Sequence, residues 1–112
     1  MLNESNTIVV ERNRIWSGQV ETEPNEAAWA REAIYFIRAM NVTGNVADAS
    51  VRVQISPDGM HWCDEGTGIR LPVEPDQVTF ARVSHFGGWL RLIGELPPGA
   101  KIGVFVYLAL KA

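Results

Sequence analysis

Apolar and polar residues alternate along much of this chain with a period of two, the pattern of strands with one buried face. The strongest run is KIGVFVYLALK, which sets Ile102, Val104, Val106, Leu108 and Leu110 on one face. The opposite face, Gly103, Phe105, Tyr107 and Ala109, is also apolar. Such a strand is expected to be central, covered on both sides or held against another subunit. Upstream, ASVRVQI turns Val51, Val53 and Ile55 inward and Arg52 and Gln54 outward, a half-buried antiparallel strand that ends at Pro57. QVTFARV repeats the pattern with Val78 and Phe80 facing in, and GGWLRLIGEL divides Trp89, Arg91 and Ile93 from Leu90, Leu92 and Gly94. Between them, His85, Phe86, Gly87 and Gly88 read as a hairpin connection, because glycines accept the positive φ that hairpin turns require. ELPPGAK stops the chain before the last strand, and TIVVERNRIWSGQVE supplies one or two short strands around a turn at Asn13.

The stretch EPNEAAWAREAIYFIRAMNVTG carries both periods. Asn25 after Pro24 has the form of an N-cap, and Ala30, Ala33, Ile34 and Ile37 fall at helical spacing. Ile34, Phe36, Met40 and Val42 alternate instead, and β-branched and aromatic residues accumulate after Ala33. Residues 33–42 are assigned to strand, with a helical turn over 25–30. The expectation is an all-β, single-domain antiparallel sandwich or jelly roll of about seven to eight short strands, residues 1–7 forming a flexible N-terminal arm.

Composition narrows the function more than the fold. Ten basic and 13 acidic residues leave a net charge of −3, without the Lys/Arg clusters a nucleic-acid backbone calls for. No stretch approaches the roughly 20 apolar residues of a membrane-spanning helix, and MLNESNTIVV lacks the basic and apolar regions of a secretory signal. Neither nucleic acid nor membrane is expected as a partner, and synthesis in the cytoplasm is. A single cysteine cannot close an internal disulfide or build a Cys-rich zinc site.

Candidate chemistry is thin. Pro57, Asp58 and Gly59 read as a structural turn, since proline presets φ, aspartate bonds nearby amides and glycine accepts a left-handed conformation. Cys63, His61 and His85 are the only candidates for nucleophilic work, and none has the base-and-orienter pattern that work needs; a lone cysteine more often packs as a small hydrophobe. His61, Asp58, Asp64 and Glu65 lack the spacing of a metal site. Asp64 and Glu65 are adjacent, so in a strand they point to opposite faces and cannot act on one substrate atom. No catalytic residue, metal or cofactor is expected. Trp16, Trp29, Trp62 and Trp89 suit a core, an interface, or a row of rings stacking on sugars.

Four pieces, NVTG (41–44), VRVQISPDGMHW (51–62), VTFARVSHFGGWLRL (78–92) and VFVYLALK (104–111), together resemble a set of small bacteriophage and prophage virion structural proteins of β-sandwich fold. The resemblance spans about two thirds of the chain and leaves the N-terminal 30 residues unmatched. It implies a non-enzymatic protein of the virion that binds and stabilises a capsid shell as a decoration (cement) protein, or a head or tail component. The expected partners are a capsid or shell protein and the chain itself, as a homotrimer or else a dimer. The alternative is a carbohydrate-binding sandwich that displays its aromatic residues. Trp16, Trp89, Arg91, Phe105 and Tyr107 are the candidate interface residues, Arg91 requiring a carboxylate or carbonyl partner within the sheet or across an interface.

Overall fold

The computed structural model describes residues 4–112 and contains nine strands and no helix among them. They are β1 (Ser5–Trp16), β2 (Gln19–Glu21), β3 (Asn25–Glu26), β4 (Glu32–Thr43), β5 (Ser50–Ser56), β6 (Cys63–Arg70), β7 (Val78–Ser84), β8 (Trp89–Glu95) and β9 (Lys101–Lys111). Sheet A has the order β1-β9-β4-β7, and sheet B the order β2-β8-β5-β6 with β3 also on β8. All pairings are antiparallel. The chain changes sheet at most of its connections, so the two sheets close over one core, an antiparallel β-sandwich.

The C-terminal strand is central, as its two apolar faces require. β9 lies between β1 and β4, with Ile102, Val104, Val106, Leu108 and Leu110 buried against the inner residues of sheet B, among them Val51, Val53, Leu90 and Leu92. Residues 33–42 are strand and lie within β4. The helical turn over 25–30 does not form. Asn25 and Glu26 pair with Leu90 and Trp89 of β8, a turn follows, and the Ala30 amide donates to the Ala27 carbonyl. Helix propensity yields here to the ladder bonds that an open edge of β8 offers. The strand count exceeds seven to eight because β2 and β3 have three and two residues, too few for any periodicity to mark them.

Four further expectations change. On β7 the inward residues are Ala81 and Val83, while Val78 and Phe80 are 49% and 51% exposed. Both faces of this strand are partly apolar, so alternation alone does not choose between them; the register does. Ala81 lies opposite the fully buried Tyr35 on the inside, and Phe80 lies opposite Phe36 on the outside. The His85–Gly88 connection is not a hairpin, since β7 belongs to sheet A and β8 to sheet B. It is a corner between sheets, and its positive φ (56°) is carried by His85 rather than by the glycine pair. At the N-terminal end, Ser5, Asn6 and Thr7 pair with Lys111, Leu110 and Ala109, so these residues are strand rather than free arm; residues 1–3 lie outside the described residues. Asn13 does not divide two strands: it sits at φ 51° within β1, inside the second of the two register shifts that bend this edge.

Gly44, which ends β4, has φ +76°, and a Cβ there would lie 2.7 Å from the Gly99 carbonyl oxygen. The glycine of NVTG is thus required twice, by the turn and by the close approach of the connection that precedes β9.

Tyr35 is fully buried at the centre of sheet A, and its hydroxyl meets no hydrogen-bond partner in the protein. Burial also pushes that hydroxyl's pKa up, because a phenolate in this core would be desolvated. An unpartnered buried hydroxyl costs about 1–3 kcal/mol. Tyr35→Phe is therefore expected to raise stability in urea, by roughly 1 kcal/mol; a loss of stability would mean that the hydroxyl has a partner.

Candidate interaction surface

The two outer faces of the sandwich differ in kind. Sheet B is covered by a polar network in which most partners are supplied by the chain itself. Arg91 on β8 donates from Nε and Nη2 to the Gln54 Oε1 of β5, at 2.9 and 2.7 Å, and from Nη1 to the Glu21 Oε1 of β2 at 2.6 Å. Gln54 Nε2 donates in turn to Asp64 Oδ1 at 2.9 Å, where Arg52 Nε also donates at 3.1 Å. The Trp62 ring lies 4.3 Å from the Arg91 guanidinium, near enough for a cation–π contact. These bonds, from Gln54 first and Arg52 second, hold the Asp64 carboxyl below the usual carboxylate range. Alternation brings this set together: Arg52 and Gln54 face out from β5 because Val51 and Val53 face in, and Arg91 faces out because Leu90 and Leu92 face in.

The Pro57-Asp58-Gly59 turn joins β5 to β6 and is held from within. Asp58 Oδ1 accepts the Met60 and His61 amides, both at 2.9 Å, and its Oδ2 lies 2.7 Å from His61 Nδ1. Ser56 Oγ accepts the Gly59 amide at 2.8 Å. Asp58 thus spends its lone pairs on its own turn. The His61 amide, then the Met60 amide and then the His61 ring hold its carboxyl far below the usual range. A depressed native pKa contributes stability above the unfolded value, near 4, that is lost as pH falls toward the native one. Thermal melts from pH 5 down to 2 are expected to show a falling midpoint, with a shallower slope in Asp58→Asn; equal slopes would contradict the turn's role. Gly59 has φ +81°, and a Cβ there would stand 3.1 Å from the Trp89 ring, so the turn packs under that tryptophan. Gly59→Ala is expected to cost about 1–2 kcal/mol in denaturant melts.

Sheet A is the apolar face. Val9, Tyr107, Phe36 and Phe80 lie opposite one another in register, a row across all four strands. Thr7, Ala109, Ile34 and Arg82 form the row on one side of it, and Phe105, Arg38 and Val78 the row on the other. Phe36 and Phe80 are 6.2 Å apart between ring centroids, as are Phe105 and Tyr107. The Arg38 guanidinium sits 5.2 Å from the Phe105 centroid and that of Arg82 5.1 Å from Phe80. Neither arginine is in an ion pair among the described residues, and Arg38 Nε is a buried donor without a partner. A partly exposed run of rings edged by cations outside any ion pair has the character of a protein contact.

The interface residues picked from sequence therefore separate. Phe105 and Tyr107 lie on the outer face of sheet A; Trp89 and Arg91 lie on sheet B; Trp16 is at no surface, being 4% exposed inside the core opposite Ile102. Arg91 finds its carboxylate within the sheet, at Glu21. Of the other tryptophans, Trp62 is partly covered by Arg91, and Trp29 is 39% exposed. Cys63 is exposed rather than buried, its Sγ 3.8 Å from the Ile55 carbonyl oxygen, and the His61 ring is bonded to Asp58. Sequence reasoning missed Ile34, Phe36, Arg38, Phe80 and Arg82 as surface. The available signal was that β4, like β9, is apolar on both faces.

No family model matches the sequence, and no curated protein matches it. Several solved structures share the fold. The crystal structure of SPBc2 prophage-derived protein YomS is 6% identical with a TM-score of 0.64, over 100% of this chain and 96% of that one. The structure of infectious bursal disease virus Gx strain is 10% identical with a TM-score of 0.50, over 97% of this chain and 32% of that one. At these identities the likeness is one of fold.

Proposed function

We propose that the protein is a non-enzymatic structural component of a phage or virus-like particle, acting as a decoration protein that binds and stabilises the capsid shell. The observation that carries this reading is the outer face of sheet A. Its rings and unpaired arginines are built for contact with protein, while the polar groups of sheet B and of the β5–β6 turn are spent on one another. The two similar structures, one from a prophage and one from a virus, support the same direction. Most soluble oligomers are closed homo-oligomers, and three copies would suit a three-fold position of an icosahedral shell.

The test is sedimentation of capsid shells of the particle whose genome encodes the protein, with and without the protein. The expected result is recovery of the protein with the shell in a fixed ratio, together with a higher shell melting temperature. Protein left wholly in the supernatant would sink the proposal.

A further inference from the structure

The outer face of sheet A matches itself in one particular register. Steps of two along β4 set Glu32, Ile34, Phe36 and Arg38 on successive rows of this face, each step about 6.7 Å. A carboxylate stands at one end of the series and a guanidinium at the other, and neither is in an ion pair among the described residues. Lay a second copy face to face, with a two-fold axis running across the strands midway between Ile34 and Phe36. Strand β4 then lies antiparallel over β4, and Glu32 of each copy falls over Arg38 of the other. The same operation sets Ile34 over Phe36, Arg82 over Phe80, Ala109 over Tyr107 and Thr7 over Val9, so the larger side chain of one row meets a smaller or stacking one. Packed sheets cross at about 30°, which shifts the end rows sideways by about 5 Å, a span that the long Glu32 and Arg38 side chains bridge. An axis through the Phe36 row instead would set Arg38 on Ile34 and Glu32 on Met40 and leave both charges unpaired.

We propose that the outer face of sheet A is closed by a second copy of this chain in the half-step register, with two symmetric Glu32–Arg38 pairs at its ends. The proposal rests on the reading of sheet A as a protein contact. The four strands of sheet A, among them the 11-residue β9, offer a face of about 700 Å², close to the roughly 800 Å² per partner of a standard interface. On a particle this face is then a contact between copies of the protein, and pairing can join two free chains or link neighbouring three-fold clusters on a shell.

Light scattering across a concentration series tests this, with circular dichroism confirming that each variant is folded. The wild type is expected at even multiples of the 12.4 kDa chain. Glu32→Arg alone and Arg38→Glu alone are each expected to raise the dissociation constant at least about tenfold, since each sets like charges against each other at both ends. An equimolar mixture of the two variants is expected to restore pairing, because every altered contact then joins opposite charges. A monomer at all concentrations, a trimer, or a mixture that fails to pair would overturn the proposal. A trimer that co-sediments with shells would leave the particle role standing, whereas intact pairs that never sediment with shells would remove the particle role and keep the pairing.

Discussion

Trp16→Ala is expected to cost about 3–5 kcal/mol, the range for removing a large buried aromatic side chain. This is a large share of the roughly 5–15 kcal/mol that a domain of this size has in total. Trp16 closes the end of β1 opposite Ile102, with its ring inside the sandwich at 4% exposure. Two other features of this edge raise the cost. The register shifts on either side of Glu11 interrupt the ladder between β1 and β9, so the ring helps to hold the far end of a bent strand. Ile15 beside it is 68% exposed and cannot substitute as an anchor. Urea melts at fixed low concentration measure the effect. If Trp16 were an interface residue instead, the isolated chain would keep its midpoint and only the oligomer mass would fall. That result would place the ring outside the core.

Where alternation is clean, the strand and its two faces were legible: β5 buries Val51 and Val53 as its pattern marks, β8 separates Leu90 and Leu92 from Trp89, Arg91 and Ile93, and β9 is central as its doubly apolar pattern requires. Turn chemistry was legible for the same local reason, since Pro57, Asp58 and Gly59 each suit one turn position, and Asp58 bonds the amides within its own turn. The errors have a common physical source, which is that local pattern does not encode the partner strand. Val78 and Phe80 read as inward because they are large and apolar, yet the ladder sets Ala81 opposite the buried Tyr35 and Phe80 opposite Phe36 on the outside. The Gly-Gly pair suggested a hairpin, but whether two successive strands share a sheet is decided by β4 and β5, each remote in sequence.

The contact face was half visible. Phe105 and Tyr107 were marked by the excess of apolar residues on β9, whereas Phe36, Arg38, Phe80 and Arg82 become one surface only through the β4–β7 and β4–β9 registers. Trp16 was drawn into the same list because tryptophan serves both cores and interfaces, and its residue type does not distinguish them.

Arg91→Ala is expected to destabilise the fold by about 2 kcal/mol, within the range for losing hydrogen bonds to a charged group, while leaving self-association on sheet A unchanged. Most of the cost falls on Gln54, a residue only 9% exposed, whose Oε1 loses both of its donors. The Glu21 contact adds little, because that side chain is 66% exposed and water replaces the lost donor; Glu21→Gln is accordingly expected to change stability by less than about 0.5 kcal/mol. Arg91→Lys should recover only part of the loss, since a single ammonium cannot present the forked Nε and Nη2 pair to one oxygen and stacks less well on Trp62. Denaturant melts followed by tryptophan emission read both effects, for removal of the guanidinium uncovers the Trp62 ring. An unchanged midpoint with a loss of oligomer mass would move Arg91 from the framework of sheet B to a contact between subunits.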